Sequence, residues 1–332
     1  MSASSLPTVV VSAPLPADLR ERLAARCSII DVPAGQSPAQ TLDAAQREAL
    51  VGILCTMKTR IQRDELAALP KLKVVSNFAV GFDNIDVPAA TEANVLVCNT
   101  PGVLDKAVAD LTLGLLICLA RNMVGGDAFV RSGQWARGAA PLTSDIRGKT
   151  LGLLGMGRIG REVARMACAL GMEVIYHNRS HDEAAEREGL AQYRERDALF
   201  AESDFLSVHI PLSPSTRHGI GKREFSLMKP SAYFINTARG GVVNEAEMIE
   251  ALKTGVIAGA GLDVMETEPL PGDHPLCSLS NVVLQAHVGS ATVETRRAMI
   301  DLAAQNLLDA VGGTKPAAMV NPAVWEAGAA KA

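Results

Sequence analysis

The sequence lacks an excess of positive charge, a long apolar run and any clustered cysteine, and each absence closes off a class of function. Lysine and arginine total 32 against 36 acids, for a net charge of −4, so no basic surplus is there to hold nucleic acid or an anionic membrane. No apolar run reaches membrane-spanning length; the longest, Leu111 to Ala120, reads as a buried helix. Met1 to Ala13 has no basic start and leads into a polar helix, so it does not read as a signal peptide. Cys27, Cys55, Cys98, Cys118, Cys168 and Cys277 are far apart, with no CxxC pair and no Cys/His cluster. That excludes the usual zinc and thiol-redox patterns and predicts buried thiols, no metal and a reducing, cytoplasmic compartment. Internal repeats and low-complexity linkers are missing too; only the Ala/Gly-rich tail after Trp325 reads as frayed.

What the sequence does have is alternation. Its 332 residues, 48% hydrophobic and 20% charged, suit a soluble globular protein of two ordinary domains. Short β-branched runs at Thr8 to Ser12, Val51 to Cys55, Val74 to Asn77 and Val95 to Cys98 predict strands, separated by helices such as Pro16 to Arg26 and Arg63 to Ala68. A second set opens at Thr150. Its strands are Leu151 to Leu154, Glu173 to Tyr176, Phe205 to His209, Tyr233 to Asn236, Ala258 to Asp263 and Val282 to Ala286, with a helix at Arg161 to Leu170. Such alternation predicts an α/β fold with parallel sheets. Long helices at Val103 to Asn122 and Ala291 to Val311 carry the two crossings between the sets. The expectation is two Rossmann-like or flavodoxin-like domains, with residues 102–287 inserted into an outer domain of residues 1–101 and 288–332.

The segment Gly155-Met156-Gly157-Arg158-Ile159-Gly160 falls between a predicted apolar strand and a predicted helix. Alone the pattern is weak, because glycine is common; its flanks give it meaning. Gly155 permits a tight turn, Gly157 lets the backbone approach a pyrophosphate, and Gly160 lets the helix pack close to the strand. The pyrophosphate then sits at the helix N-terminus. The turn predicts a nicotinamide dinucleotide and oxidoreductase chemistry. NAD-specific sites carry an acid at the end of the next strand, bonded to the ribose 2′-hydroxyl. This chain reads Tyr176-His177-Asn178-Arg179-Ser180 there. Arg179 can pair with a 2′-phosphate while Asn178 and Ser180 donate hydrogen bonds. NADPH is therefore the expected cofactor and NADH the weaker one; the plain alternative makes Arg179 a solvated surface residue.

In an open parallel sheet, ligands bind outside the carboxyl ends of the strands. The later strands run out into Thr237-Ala238-Arg239-Gly240, into Val264-Met265-Glu266-Thr267-Glu268-Pro269, and into His287-Val288-Gly289-Ser290. A guanidinium can hold a carboxylate and polarise the carbonyl beside it, which suits Arg239 as substrate clamp. Reducing a ketone leaves an alkoxide that needs a proton, and His287 is suited to supply it as general acid. A nearby carboxylate favours imidazolium, which suits Glu268. Each residue alone has a bland reading, as a salt-bridged Arg, a surface Glu and a satisfied core His; their grouping at three strand ends outweighs it.

These segments, with Gly261-Leu262-Asp263-Val264 and Ala291-Thr292, resemble the D-2-hydroxyacid dehydrogenase family over nearly the whole chain, in order and at family spacing. The resemblance implies Arg239, Glu268 and His287 as a catalytic trio, and implies that Asp263 holds the nicotinamide carboxamide. It implies that Thr237, Ala238 and Gly289 line the cofactor, and that His209, Pro211 and Thr216 fall near its adenosine half. It also implies that the amides of Val80 and Gly81, in Asn77-Phe78-Ala79-Val80-Gly81-Phe82-Asp83, receive the substrate carboxylate. Similar phosphite dehydrogenases carry lysine where Val80 stands, and formate dehydrogenases carry Gln in place of Glu268. Among the remaining members, the chain is most similar to NADPH-preferring reductases of glyoxylate, hydroxypyruvate and 2-ketogluconate, which share the Asn178-Arg179-Ser180 segment and Asp273-His274-Pro275-Leu276. Homodimers are the rule in the family. Trp135 lies where some relatives send an aromatic into the neighbouring subunit, and it reads equally well as an ordinary interface or core aromatic.

The resemblance leaves other readings open. One is a dinucleotide-sensing binding protein like the C-terminal-binding co-repressors, which keep the same trio; the few residues after the last helix argue against the long disordered tail of such regulators. Another is a dehydrogenase for a bulkier 2-oxo acid. Selectivity beyond the 2-oxo acid head rests with Thr56-Met57-Lys58 and the Phe78 region, or with the partner subunit as well. Lys58 and Arg60 either contact hydroxyls of a sugar acid or are simply solvated.

Overall fold

The computed structural model describes residues 6–329, and packing divides the chain into two units. One comprises Met1–Leu104 and Val293–Ala332, the other Asp105–Thr292. Residues 1–5, where the segment read against a signal peptide begins, and residues 330–332, the last of the tail, lie outside the described residues.

In the first unit, β1 (Thr8–Val11), β2 (Ser28–Asp31), β3 (Leu50–Cys55), β4 (Val74–Asn77) and β5 (Leu96–Cys98) form one sheet in the order β2-β1-β3-β4-β5. All its pairings are parallel. The central strands read as nearly unbroken apolar runs because both faces are covered. Val10, Ile53, Val75 and Val97 point into one core, fully buried, and each contributes about 1.5–3 kcal/mol of hydrophobic stabilisation. On the opposite face the helix Val293–Val311 packs against β3 and β4. Gly52 is required there: a Cβ on it would lie 2.7 Å from Leu307 Cδ1. Strand β2 was not anticipated, because its sequence Ser-Ile-Ile-Asp is polar and exposed at both ends, as an edge strand tolerates.

In the second unit, β6 (Thr150–Leu154), β7 (Glu173–His177), β8 (Gln192–Tyr193), β9 (Phe205–Val208), β10 (Tyr233–Asn236), β11 (Gly259–Leu262) and β12 (Val282–Leu284) form a sheet in the order β12-β11-β10-β9-β6-β7-β8. Its pairings are again all parallel. Strand order reverses between β6 and β9, and a crevice opens at such a point. One face carries the helices Asp105–Ala120 and Arg158–Ala169 over Leu151, Leu153, Tyr176 and Phe205. The other buries Leu154, Leu206, Phe225 and Phe234. The two-residue β8 is too short to show in a sequence pattern.

Several boundaries differ from expectation. The helix after the glycine turn starts at Arg158 rather than Arg161, so Arg158, Ile159 and Gly160 form its first turn. The helix expected over Val103 to Asn122 spans Asp105–Ala120; Asn122 then adopts a left-handed φ of 45° and a further helix, Met123–Arg131, begins. The tail read as frayed is helical over Pro322–Ala329. Cys27, Cys55 and Cys98 are buried, but Cys118 and Cys168 are only half-buried and Cys277 is exposed, on the short 3-10 turn Pro275–Ser278. Burial pushes the Cys55 and Cys98 thiols up to about 12. Among the described residues no His/Cys/Asp/Glu group is arranged to hold a metal ion, and no single helix is long and apolar enough to cross a membrane.

Candidate active site

The glycine turn leaves β6 at the reversal point. Gly155 has φ +107°, and a Cβ there would lie 2.6 Å from the His209 carbonyl oxygen, so both conformation and space demand glycine. A Cβ on Gly160 would lie 2.4 Å from the Gly155 oxygen, so the helix packs this close only with glycine. Gly157 is different: a Cβ there would meet no protein atom within 4 Å. Its bareness serves no packing need and leaves room for something outside the chain. Beside it, the leading amides of the helix Arg158–Ala169 have no carbonyl behind them in the helix. A bare backbone at a helix N-terminus fits a pyrophosphate, so the residues present suit a dinucleotide.

Asn178 is partly committed elsewhere: its Oδ1 accepts the Met156 amide (2.8 Å), which ties the end of β7 to the turn and leaves its Nδ2 free to donate. Arg179 is exposed and makes no hydrogen bond or ion pair among the described residues. The nearest acid in sequence, Asp182, is paired with Arg161 and caps the following helix. His209 follows β9; its amide donates to Leu154 O and its Nε2 lies 2.9 Å from Ser207 Oγ. The residue is half-buried, and burial pushes its pKa down to about 4. Thr216 turns its hydroxyl inward, donating to Pro211 O (2.7 Å) and accepting the Ser213 amide (2.8 Å). It shapes the loop that presents Pro211.

Three strand ends then meet. Beyond β10, the Asn236 side chain accepts the Ala238 amide and donates to the Arg239 carbonyl, fixing a tight turn. Thr237 Oγ1 lies 3.0 Å from Thr112 Oγ1. Gly240 presses against the backbone of Met265, where a Cβ would come within 1.9 Å, so the Arg239 turn and the Glu268 segment are held together. Arg239 is half-buried and donates to Ala238 O (2.8 Å). Glu268 Oε1 accepts the Met265 amide (3.0 Å), and Glu268 Oε2 lies 2.7 Å from His287 Nδ1. Burial raises the Glu268 carboxyl, but the His287 ring, the Met265 amide and Arg239 outweigh it and hold the group below its ordinary range.

His287 itself sits at φ +54°, a left-handed conformation uncommon outside glycine. Asp263 holds it there. The Asp263 carbonyl accepts the His287 amide, and its carboxylate accepts the amides of Val288 (2.7 Å) and Gly289 (2.8 Å). Successive amides around a left-handed residue make an anion-binding nest, and here the chain's own Asp263 fills it. Burial raises the Asp263 carboxyl, against the pull of those two amides.

In the first unit, the loop after β4 is anchored through its carbonyls. Asn99 Nδ2 donates to Val80 O (2.8 Å) and Asn77 Nδ2 to Gly81 O (2.9 Å). Among the described residues the amides of Val80 and Gly81 have no partner. Two successive unpaired amides are suited to an anion.

Comparison with known proteins places this arrangement. Residues 113–289 match the family model described as D-isomer specific 2-hydroxyacid dehydrogenase, NAD binding domain. A glyoxylate reductase of Aeropyrum pernix is 47% identical over 291 residues, covering 86% of each chain. One from Thermococcus litoralis is 47% identical over 278 residues, covering 82% of this chain and 84% of the other. The chain belongs to the D-isomer specific 2-hydroxyacid dehydrogenases.

Solved structures agree with that membership. A glyoxylate reductase from Paecilomyes thermophila matches with a TM-score of 0.88 at 34% identity, over 96% of this chain and 98% of its own. The NADPH-dependent glyoxylate/hydroxypyruvate reductase of Sinorhizobium meliloti, in complex with NADP and malonate, matches at 0.87 and 35%, over 95% and 97%. Sequence reasoning about this dehydrogenase missed the residues that hold the site in shape: Asn236, Met265 through its amide, and Asp263 as the brace of His287. Asn236 carried a legible signal, since asparagine at a strand end often bonds the backbone two residues on. The brace by Asp263 spans more than twenty residues of chain and had none.

Proposed function

We propose that this dehydrogenase reduces a small 2-oxo acid (glyoxylate, hydroxypyruvate or 2-ketogluconate) to the D-2-hydroxy acid, with NADPH preferred and His287 as general acid. The observation that carries the reading is the His287 Nδ1–Glu268 Oε2 contact of 2.7 Å beside Arg239 at the strand ends. With Nδ1 engaged by the carboxylate, Nε2 is left to deliver a proton to the carbonyl oxygen as it becomes an alkoxide. Glu268, held ionised, stabilises the imidazolium. Arg239 takes the substrate carboxylate and polarises the adjacent carbonyl. We assign the amides of Val80 and Gly81 to the same carboxylate. The bound nicotinamide supplies the hydride. Asp263, Thr237, Ala238 and Gly289 are assigned to its surroundings, and His209, Pro211 and Thr216 to the adenosine side.

The NADPH preference is supported by the unpaired Arg179 and by the absence of a free carboxylate between His177 and Asp182. The relatives' names support glyoxylate and hydroxypyruvate as substrates. A substrate panel with NADPH and NADH tests the reading, together with His287→Ala. The variant should lose about 10²–10⁴-fold in kcat, the usual contribution of a general acid, while binding NADPH normally. An unchanged kcat rejects the role. Failure to turn over any 2-oxo acid, with capture of a peptide partner, would instead favour the co-repressor-like reading.

We also propose a homodimer through the second unit. Residues 123–145 hold Met123 (54% exposed), Val124 (58%), Val130 (51%), Trp135 (67%) and Leu142 (100%), most of the exposed large apolar side chains among the described residues. Such a concentration is typical of a contact surface, and we assign Trp135 to it. Light scattering of the purified protein checks this; a monomer at micromolar concentration refutes it.

A further inference from the structure

The helix Val293–Val311 carries a cation with no evident purpose. Arg296, in its first turn, places its guanidinium carbon 5.6 Å from the centre of the Phe78 ring. The side chain is half-buried, with no hydrogen bond and no carboxylate among the described residues to pair with it. Two influences oppose it: burial strips water from a fixed charge and depresses its pKa, and the helix's own field is positive at that end. Stacking on Phe78 offers only a weak return. Its neighbour in sequence, Arg297, shows what a structural arginine looks like here, pairing with both Asp18 and Asp301.

Phe78 fixes where this cation stands. Its amide donates to Cys55 O (2.7 Å), so the ring sits where the ends of β3 and β4 meet, and two residues later come the unpaired amides of Val80 and Gly81. The guanidinium carbon lies over that ring, and its N–H groups meet no acceptor among the described residues.

We propose that Arg296 reads the third carbon of the substrate, selecting 2-oxo acids that carry an oxygen at that carbon, a hydroxyl or a carboxylate. The proposal rests on the reduction of 2-oxo acids inferred above, and on the carboxylate binding at Val80 and Gly81. A hydroxyl or carboxylate at C3 accepts the N–H edge of Arg296. A methyl or aromatic substituent buries the guanidinium further and gives it nothing, and a polar site left unpaired in this way rejects the analogue strongly. The distal recognition open between Lys58, Arg60 and the Phe78 region thus falls to Arg296, since Lys58 and Arg60 are exposed.

Hydroxypyruvate and pyruvate differ only at C3, and glyoxylate has no C3. The wild-type enzyme should show kcat/KM at least tenfold higher for hydroxypyruvate than for pyruvate. Arg296→Met should collapse that ratio to within twofold, and Arg296→Lys, which keeps a charge and a donor, should restore part of it. Glyoxylate turnover should fall far less than hydroxypyruvate turnover in both variants. A wild-type ratio near one overturns the proposal without any variant. So does an equal loss for hydroxypyruvate, pyruvate and glyoxylate in Arg296→Lys, the mark of a merely structural residue. Absence of turnover on all three by the wild type would strike the broader reading instead, and the selectivity with it.

Discussion

The amide of His287 donates to the carbonyl of Asp263 at 2.8 Å, and the imidazole is displayed from a left-handed residue because of it. With the two further amides on its carboxylate, Asp263 governs where the imidazole points. Asp263→Asn sets an amide nitrogen against one of two backbone N–H groups, and an unsatisfied donor of this kind costs about 1–3 kcal/mol. The variant should melt several degrees lower and lose at least tenfold in kcat. Wild-type kcat in Asp263→Asn would show that the brace does not matter.

The glycines of the turn should separate by substitution. Gly155→Ala meets the His209 carbonyl and a forbidding φ, so it should lower thermal stability markedly. Gly157→Ala has open space and an ordinary backbone at φ −82°. It should melt within a degree or two of wild type while raising the KM for NADPH tenfold or more. Equal loss of stability in both would mean that Gly157 is a packing glycine after all.

Arg179 has nothing to lose but a ligand. Arg179→Ala should leave stability and NADH turnover nearly unchanged and cut kcat/KM for NADPH by about 10–100-fold, the range for a charge-assisted bond of 1.5–3 kcal/mol. A parallel decline with both cofactors would reduce Arg179 to the solvated residue of the plain alternative.

His209 ties stability to pH. Its pKa falls from 6.5 to about 4 on folding, so between those values the unfolded chain binds a proton that the folded chain refuses. Stability from this group is complete above pH 6.5 and drains away as pH falls toward 4, with a slope of at most about 1.4 kcal/mol per pH unit. Melting curves of wild type and His209→Gln should converge over that window on acidification. Parallel curves from pH 7 to 4 would contradict it.

Much of this was legible in the sequence, for identifiable reasons. Central parallel strands announce themselves because both faces are buried, as at Leu50–Cys55 and Thr150–Leu154. The edge strands Ser28–Asp31 and Gln192–Tyr193 do not, since half their residues face water. Arg239, Glu268 and His287 could be found by asking what protrudes beyond a strand. Asp263 and Arg296 could not be given their surroundings: one acts through backbone amides distant in the chain, and the other is conspicuous only for the partner it lacks.

The discontinuity of the first unit has a consequence for birth order on the ribosome. Residues 105–292 are contiguous, whereas the sheet β1–β5 stays open until Val293–Val311 arrives to seat Leu307 over Gly52 and to bring Ala303 O to Ser76 Oγ. The segment synthesised first is therefore the last to mature. A nascent chain arrested with residue 292 just outside the exit tunnel should resist protease across 105–292 and be cut within its first hundred residues. Protection of the N-terminal part at that length would mean that the sheet closes without its final helix.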